Sequence, residues 1–318
     1  MITVQGAHPI SNPLCLLIGN YDGIHRGHQF IFEQAKNEAR THQLMTAVLS
    51  FVPHPLRVLA PNQAPKLIQT DDQKRALLDH YGIDAYIEWP FDHDTAQTPA
   101  DTFIRQLCNT WLIKRIAVGQ SFRFGHKRSG DVALLQEMGK TLGFTCMALD
   151  ELRDDDVISS TRLRQSITSG SMDRVQHMLD RPFLITGDIV SGKQIGTGIG
   201  FPTANLKTQN ELMPPHGVYA TWMYVQNQWH RSITNIGVRP TFHDDDALHI
   251  ETHALEPCGN VYGQPAVLAF HSYLRPERKF DGREALIAQI RQDIQERHSL
   301  PDVSPPDVPA SICQLAST

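Results

Sequence analysis

The sequence predicts an α/β domain followed by an all-β domain, and two observations lead to this fold class. In the first half, short apolar runs alternate with amphipathic helical patterns. After residue 180, runs rich in β-branched and aromatic residues follow one another, separated by Gly, Asn, Asp and Pro. The first pattern indicates a parallel sheet covered by helices on both faces, and the second indicates an antiparallel sheet or a small barrel. A chain of 318 residues is long enough for both.

The first-half elements follow from these runs in order. The predicted strands are Leu14–Ile18, Met45–Phe51, Ala85–Trp89, Arg115–Gly119 and Phe144–Leu149. The predicted helices are Gly27–Arg40, Asp71–Tyr81, Pro99–Leu112 and Asp131–Leu142. Because ligands of parallel sheets bind beyond the carboxyl ends of the strands, the loops that follow these strands are candidate sites.

In the second half, a short helix is predicted over Asp173–Asp180 and ends at Arg181-Pro182. The predicted strands are Phe183–Val190, Val218–Val225, Trp229–Ile236, Leu248–Leu255 and Pro265–Leu274. A C-terminal helix over Gly282–Arg297 is expected to bury one face formed by Ala285, Leu286, Ile290 and Ile294. We therefore place domains at residues 1–182 and 183–299, and expect a poorly ordered tail at residues 300–318.

Composition narrows the function classes. The net charge of -5 lacks the basic excess that nucleic-acid binding requires, so we expect no nucleic-acid partner. We find neither a signal peptide nor an apolar run that would cross a bilayer, so we expect no membrane partner. Five scattered cysteines with no CxxC pair favour reduced thiols in the cytoplasm. We expect a monomer or a weak homo-oligomer.

The segment Gly19-Asn20-Tyr21-Asp22-Gly23-Ile24-His25-Arg26-Gly27-His28 directly follows the first strand and leads into a helix. A helix start offers free backbone N–H groups and the positive end of a dipole, and both attract phosphate. His25 and His28 add donors that can stabilise charge on a phosphoryl group. This segment therefore predicts phosphate chemistry.

Three further segments are expected to converge on the same site. Phe51-Val52-Pro53-His54-Pro55 and Gly119-Gln120-Ser121-Phe122-Arg123-Phe124-Gly125 each leave a predicted strand. Ile158-Ser159-Ser160-Thr161-Arg162-Leu163-Arg164 places hydroxyls at a helix start and two guanidinium groups on the helix. Hydroxyl caps with guanidinium groups suit a triphosphate.

A glycine-rich segment dominates the second half. Gly192, Gly196, Gly198 and Gly200 precede Phe201-Pro202-Thr203-Ala204-Asn205. The glycines predict a mobile loop whose backbone can fold over phosphates. Thr203 and Asn205 supply a hydroxyl and an amide oxygen, which suit Mg²⁺.

A second candidate lies in Leu248–Ala254, where His249, Glu251 and His253 project from one face of a strand. Two interpretations are open from the residues alone. Glu251 is a general base for a substrate hydroxyl, or the three side chains bind zinc or iron.

The first-half motifs GNYDGIHRGH, FVPHP, GQSFRFG and ISSTRLR, in this order, resemble the adenylyltransferase module of bacterial bifunctional riboflavin kinase/FAD synthetases. The resemblance implies a Rossmann-like nucleotidylyltransferase domain in which the FMN phosphate attacks the α-phosphorus of ATP and releases pyrophosphate. It implies that His25 and His28 contact the ATP phosphates. The remaining implied roles are a nucleotide pocket shaped by Gly19, Asn20, Asp22, Gly23 and Gly27, phosphate contacts from Ser160, Thr161 and Arg164, and a flavin side formed by His54, Phe122, Arg123 and Phe124. Ser121 stands where the family usually has Asp or Asn.

The second-half motifs GIGFPTANL, GVYA, NIGVRPTF, IETHAL, VYG and LRPERKF resemble the riboflavin kinase module of the same family. The resemblance implies a small antiparallel β-barrel with a C-terminal helix. It implies that Thr203 and Asn205 bind Mg²⁺ and ATP phosphates, that Glu251 is the base for the riboflavin 5′-hydroxyl, and that Arg275 lines the flavin side. The segment with Gly192, Gly196 and Gly198 is then the flap over ATP. Thr197 stands where the family commonly has Arg.

Two alternatives to a bifunctional enzyme stay open at this point. In one, only one activity survives and the other domain is regulatory, which Ser121 and Thr197 keep possible. In the other, the chain is a flavin or nucleotide sensor without turnover. The bifunctional hypothesis implies ATP and Mg²⁺ as co-substrate and cofactor, with riboflavin, FMN and FAD as substrates and products.

Overall fold

The computed structural model describes the chain except for residues 155, 193–194, 240–246, 302–303 and 317–318. Its residues group into two compact units. The first unit comprises Met1–Lys66 and Leu77–Ser159, and the second comprises Leu67–Ala76 and Ser160–Thr318.

The first unit is built on a six-stranded parallel sheet with strand order β1-β4-β3-β2-β5-β6. Its strands are β1 Ile2–Gln5, β2 Leu14–Ile18, β3 Met45–Val52, β4 Ala85–Pro90, β5 Ile113–Gly119 and β6 Thr145–Leu149. Every residue of β2 is buried, as the uninterrupted apolar run predicts for a central parallel strand. The edge strand β1 was not predicted, because it is short and mostly exposed.

Helices cover both faces of this sheet, as the sequence predicts. The helices that precede β6 are α1 Arg26–His42, α2 Pro55–Leu59, α3 Asp71–His80, α4 His93–Gln97, α5 Ala100–Thr110 and α6 Val132–Leu142. Leu14, Leu16 and Ile18 pack in one core with buried side chains of α5 and α6. Because side chains alternate along a strand, Cys15 and Leu17 face the side that α1 covers.

The second unit contains a closed antiparallel barrel with strand order β10-β11-β8-β7-β12-β9. Its elements are α7 Ser160–Thr168, α8 Met172–Leu179, β7 Phe183–Val190, α9 Ile195–Gly198, β8 Ala204–Thr208, β9 Gly217–Val225, β10 Gln228–Arg239, β11 Ala247–Ala254, β12 Pro265–Arg275, α10 Arg283–Ser299 and α11 Ala310–Gln314. The barrel confirms the predicted all-β class. The first compact unit ends at residue 159, whereas the sequence analysis places the domain boundary near residue 182. Helices α7 and α8 lie between these positions and belong to the second unit.

Buried hydroxyls line part of the barrel. Thr221 lies 2.8 Å from Ser232 and 2.7 Å from Thr234, oxygen to oxygen, and Thr234 lies 2.7 Å from Thr252. All four residues are buried, and each hydroxyl has a partner within the group. Buried polar groups that satisfy one another in this way avoid the desolvation cost of an unpaired hydroxyl.

Residues 67–76 join the second unit through a buried amide pair. The Asn210 Nδ2 donates to Gln73 Oε1 at 2.9 Å, and Gln73 Nε2 donates to the Leu184 carbonyl at 3.3 Å. The backbone N–H of Thr186 donates to Asn210 Oδ1 at 3.1 Å. These contacts make ten residues of the first half part of the second unit.

The buried face predicted for the C-terminal helix was wrong, and the structure describes a short helix within the predicted tail. The fully buried residues of α10 are Gln289, Asp293 and Arg297, whereas Ala285 is exposed and the three other predicted apolar residues are half-buried. The tail was expected to be poorly ordered, but it contains α11, in which Ile312 is fully buried and Ser311 Oγ donates to the Ala76 carbonyl at 2.8 Å. Polar partners explain why α10 buries polar side chains. A buried Ile and a buried Cys explain why a helix forms within the Pro- and Ser-rich tail.

All five cysteines are free thiols. Within the described residues, the helices are too short or too polar to span a membrane.

Candidate active sites

The first candidate site lies at the carboxyl end of β2, which stands between β3 and β5. The chain leaves β2 toward β3 on one side and reaches β5 on the other, so the strand order reverses here. Such a reversal leaves a crevice in which ligands of parallel sheets bind. Gly19, Asn20, Asp22 and Gly23 form the turn in this position, with Asp22 only 3% exposed.

The turn is tight and partly left-handed. Tyr21 and Ile24 have φ values of 46° and 38°, and Gly23 has a φ of 88°. Non-glycine residues rarely adopt positive φ, so surrounding packing must hold this conformation. The Tyr21 ring, which is 5% exposed, packs against Phe32 of α1 at 5.0 Å between ring centroids. The turn is thereby anchored to the helix it leads into.

Both histidines of this segment lie at the start of α1. His25 caps the helix, its Nδ1 accepting from the His28 N–H at 3.4 Å, and its ring stacks on that of His28 at 3.7 Å between centroids. The first turn of α1 contains no acidic residue. The positive end of a 17-residue helix therefore lies beside two imidazoles, which is an arrangement suited to phosphate.

Gly27 permits this packing. A Cβ at Gly27 would lie 3.1 Å from His25 Nδ1 and 3.3 Å from the Ile158 carbonyl oxygen. Both distances are shorter than ordinary carbon contacts, so a side chain here would displace the His25 ring or the segment that precedes α7.

His54 lies beside Asn20, as the converging loops predict. Nε2 of His54 and Nδ2 of Asn20 are 3.1 Å apart, a hydrogen-bonding distance. The other ring nitrogen accepts from the Leu56 N–H at 3.2 Å, so His54 caps α2. The loops after β2 and β3 are thus connected side chain to side chain.

The segment after β5 divides into core and surface residues. Phe124 is 5% exposed and packs on Phe103, with its ring stacked on that of half-buried Phe122 at 5.5 Å. Arg123 is exposed and donates to the Phe122 carbonyl at 2.9 Å. Phe124 and half-buried Phe122 therefore contribute to packing, Arg123 lies at the surface, and the flavin roles of all three stay predictions. Ser121 Oγ donates to Glu151 Oε1 at 2.8 Å, which places a carboxylate beside this serine.

Ser160, Thr161 and Arg164 lie on α7, which belongs to the second unit. Their assignment to phosphate binding stays a prediction.

The second candidate site is a cavity of about 310 Å³ in the second unit. Its lining includes Thr203, Glu251, His253 and Arg275 together with residues of α10. Five of the residues that the sequence singled out are therefore brought to one cavity, since Gly196 lines it as well, although they lie up to 79 residues apart, from Gly196 to Arg275.

Strand register explains the central part of this site. Glu251 on β11 pairs with Asn205 on β8 and with Asn235 on β10. Side chains of directly paired residues lie on the same face of a sheet, so a carboxylate stands between two amides. Asn235 also lines the cavity and donates to Glu277 Oε1 at 3.2 Å. Asn235 begins the NIGVRPTF motif, but the sequence analysis did not name it as a candidate site residue. A polar residue within an apolar strand could have indicated it.

The donor atoms of Thr203 and Asn205 fit a hard cation. Asn205 is 8% exposed, and its Oδ1 accepts no hydrogen bond from the described part of the chain. A Cβ at Gly192 would clash with the Asn205 amide, and one at Gly196 would lie 3.2 Å from Thr203 Oγ1. The glycine-rich segment thus approaches both residues closely, and part of it forms the short helix α9. Lys193, Gln194 and the side chain of Thr197 lie outside the described residues.

Arg275 lines the cavity in a fixed orientation. Its Nε and Nη2 donate to the two carboxylate oxygens of Asp293, each at 2.8 Å. Gln289 Nε2 also donates to Asp293 Oδ1 at 2.7 Å. Arg278 donates to Gln289 Oε1, and its guanidinium lies 4.9 Å from the centre of the Phe280 ring. This polar network explains why α10 buries Gln289 and Asp293.

A further cavity of about 530 Å³ adjoins the first through shared residues. Thr203 and His253 line both, and residues 254–262 form much of the second. The geometry therefore offers two compartments that meet at Thr203 and His253.

The structure does not support the interpretation that His249, Glu251 and His253 bind zinc or iron. No cluster of three His, Cys, Asp or Glu ligands occurs in the part of the chain that it describes.

Comparison with known proteins adds independent evidence. Residues 8–162 match the FAD synthetase family and residues 179–300 match the riboflavin kinase family. A bifunctional riboflavin kinase/FMN adenylyltransferase of Pseudomonas fluorescens is 32% identical over 305 residues, which cover 94% of this chain and 98% of that protein. The protein of the same name from Escherichia coli strain K12 is 33% identical over 300 residues, which cover 92% and 96%.

A solved structure described as a macrolide-efflux protein from Streptococcus pneumoniae superposes with a TM-score of 0.86 at 25% identity, and covers 95% of this chain and 100% of that one. The architecture of both units is therefore found in an experimental structure. Taken with the two matching halves and the near full-length relatives, these findings show that the chain belongs to the bifunctional riboflavin kinase/FMN adenylyltransferase family.

Proposed function

We propose that this chain carries out both reactions of its family. Residues 183–299 phosphorylate riboflavin to FMN with ATP, and residues 1–182 transfer the adenylyl group of a second ATP to FMN. The products of the second step are FAD and pyrophosphate. The loss of one activity is not favoured, because both halves of the chain match their families.

The observation that carries the kinase proposal is the placement of Glu251 opposite Asn205 in a cavity shared with Thr203. Glu251 accepts the proton of the riboflavin 5′-hydroxyl as that oxygen attacks the γ-phosphorus of ATP, and ADP leaves. Arg275, held by Asp293, lines the flavin side of the same cavity. A carboxylate next to amide and hydroxyl oxygens supports separate roles for proton acceptance and nucleotide binding.

Thr203 and Asn205 would hold Mg²⁺. The buried Asn205 Oδ1 accepts no hydrogen bond from the residues that the structure describes. This supports the assignment, because Mg²⁺ takes oxygen ligands from one or two side chains and completes its shell with phosphates and water. When bound, the ion neutralises phosphate charge as the leaving group departs.

For adenylyl transfer, His25 and His28 at the start of α1 contact the ATP phosphates. An FMN phosphate oxygen attacks the α-phosphorus in line, the bond to the bridging oxygen breaks, and pyrophosphate leaves without a covalent enzyme intermediate. The stacked imidazoles and the helix N-terminus support this role because they stabilise negative charge as it moves onto the leaving group.

The test is to incubate the full chain with riboflavin, ATP and Mg²⁺ and to separate the flavins by chromatography. FMN followed by FAD is expected, and FAD is expected from supplied FMN without riboflavin. An absence of both FMN and FAD in the first incubation contradicts the kinase proposal, and an absence of FAD in the second contradicts the adenylyltransferase proposal. We place these reactions in the cytoplasm, in line with five free thiols, and in a monomer or weak homo-oligomer.

A further inference from the structure

His253 is fixed in one orientation at the point where the two cavities of the second unit meet. Its Nδ1 lies 2.7 Å from the Pro202 carbonyl oxygen, and its ring meets that of Phe201 edge to face at 5.6 Å between centroids. A carbonyl oxygen can only accept a hydrogen bond, so Nδ1 carries the proton. His253 therefore binds the peptide immediately before Thr203.

The hydrogen bond from His253 to Pro202 extends the contact between β11 and β8 beyond the end of their backbone pairing. The pairing of β8 with β11 comprises Asn205 with Glu251 and Ala204 with Thr252. Thr203 lies one residue outside it. The next side chain of β11 on the Glu251 face is that of His253, and this side chain, rather than the backbone, reaches the segment that contains Thr203.

We propose that His253 is a positioning residue for phosphoryl transfer, an inference that rests on the proposed kinase function. By holding the Pro202 carbonyl, His253 keeps Thr203, which directly precedes β8, at a fixed distance from Glu251 on β11. The nucleotide-binding hydroxyl and the general base are then aligned before substrates bind. Misplacement of reacting groups by about 1 Å costs about 10²-fold in rate, so a single hydrogen bond at this position affects turnover.

Two substitutions separate this role from direct contact with substrate. In His253→Asn, the amide nitrogen occupies the place of Nδ1 and can donate to the Pro202 carbonyl. In His253→Gln, the amide nitrogen occupies the place of Nε2 and the Nδ1 donor is lost. We expect His253→Asn to retain kcat for FMN formation within about threefold, and His253→Gln and His253→Ala to lose about tenfold or more.

The assay uses the full chain, riboflavin varied up to saturation, saturating ATP, and Mg²⁺. The expected loss lies in kcat, while the KM for riboflavin stays within about threefold, because the flavin side of the cavity is unchanged. FAD formation from supplied FMN, which is assigned to the other half of the chain, is expected to stay constant, and circular dichroism with urea denaturation checks that the barrel remains folded. His298→Asn and His298→Gln, at an exposed position of α10, are matched controls.

Equal activity of the Asn and Gln variants overturns the proposal, as does retention of activity by His253→Gln alone, which would assign the function to Nε2. A ¹⁵N spectrum of wild-type His253 adds a second check, since a proton on Nε2 rather than Nδ1 also contradicts it. Failure of the wild-type chain to form FMN contradicts the kinase function itself, so the two failures are distinguishable.

Discussion

Arg275 and Asp293 form a two-point ion pair between β12 and α10, with both nitrogen–oxygen distances at 2.8 Å. The Asp293 residue is 1% exposed, so the pair is shielded from solvent on the carboxylate side. The pair joins the Arg275 side of the cavity to α10.

Asp293→Asn is therefore expected to destabilise the chain. Removal of one charge leaves the Arg275 guanidinium without its counter-charge in a mostly buried position, which costs about 3 kcal/mol in the free energy of unfolding. Urea denaturation measures this change. Asp72→Asn, at an exposed ion pair, is the matched control and is expected to change stability by no more than about 0.5 kcal/mol. Equal effects of the two substitutions would contradict the prediction.

Glu251→Gln is expected to lower kcat for FMN formation by about 10²- to 10⁴-fold, because a general base of this kind contributes that much. The amide preserves size and can still lie between Asn205 and Asn235. FAD formation from supplied FMN should continue at the wild-type rate. Chromatography of the flavins measures both reactions, and loss of both with the fold intact would show that the two sites are not separate.

His28→Ala is expected to have the reverse effect. Loss of a phosphate-contacting imidazole should lower FAD formation by about 10²-fold and leave FMN formation unchanged. The same assay measures both products. His93→Ala, at an exposed histidine of α4, should change neither. Normal FAD formation by the His28 variant would remove the histidine pair from the mechanism.

Cys15 predicts a specific pH dependence of stability. Burial, reinforced by the Glu38 carboxylate, raises the pKa of the thiol from an ordinary value of 9.0 to about 12. The folded state thus favours the protonated thiol. The stability that Cys15 contributes is complete below pH 9 and is lost as the pH rises toward 12.

Urea denaturation at pH 8 and pH 10.5 checks this. The fall in unfolding free energy between these values should be smaller in Cys15→Ala than in the wild type. Identical falls in the two proteins would mean that the thiol pKa does not change on folding.

The sequence predicts best where a single local pattern determines the element. The bounds of β2 and β7 agree with prediction to the residue, because an apolar run bounded by turn residues gives both the type and the ends. Prediction from the sequence fails where polar residues interrupt the apolar pattern of a strand. Strand β8 contains Asn205 and Lys207, so its alternation was hidden within the motif that follows the glycine-rich segment.

Other failures have tertiary causes. From the sequence, Asp293 is expected at a solvent-exposed position of a helix. Its burial is explained by the guanidinium of Arg275, which lies 18 residues earlier in the chain. Phe124 belongs to a motif whose implied flavin role stays a prediction, and the packing of its ring beside Phe103 is a tertiary contact that the motif did not indicate. The candidate residues of the second site were identified from motifs, whereas their alignment across β8, β11 and β10 required the strand register.

The incorporation of residues 67–76 into the second unit limits how the polypeptide can be divided. A fragment that begins at residue 183 would lack Gln73, and Asn210 would lose an amide partner that is buried in the intact chain. If the chain is cut between its two family matches, the two pieces are therefore not the two units of the structure. Gene fragments intended to yield an isolated kinase would need to restore that decapeptide, either covalently or as a complementing peptide.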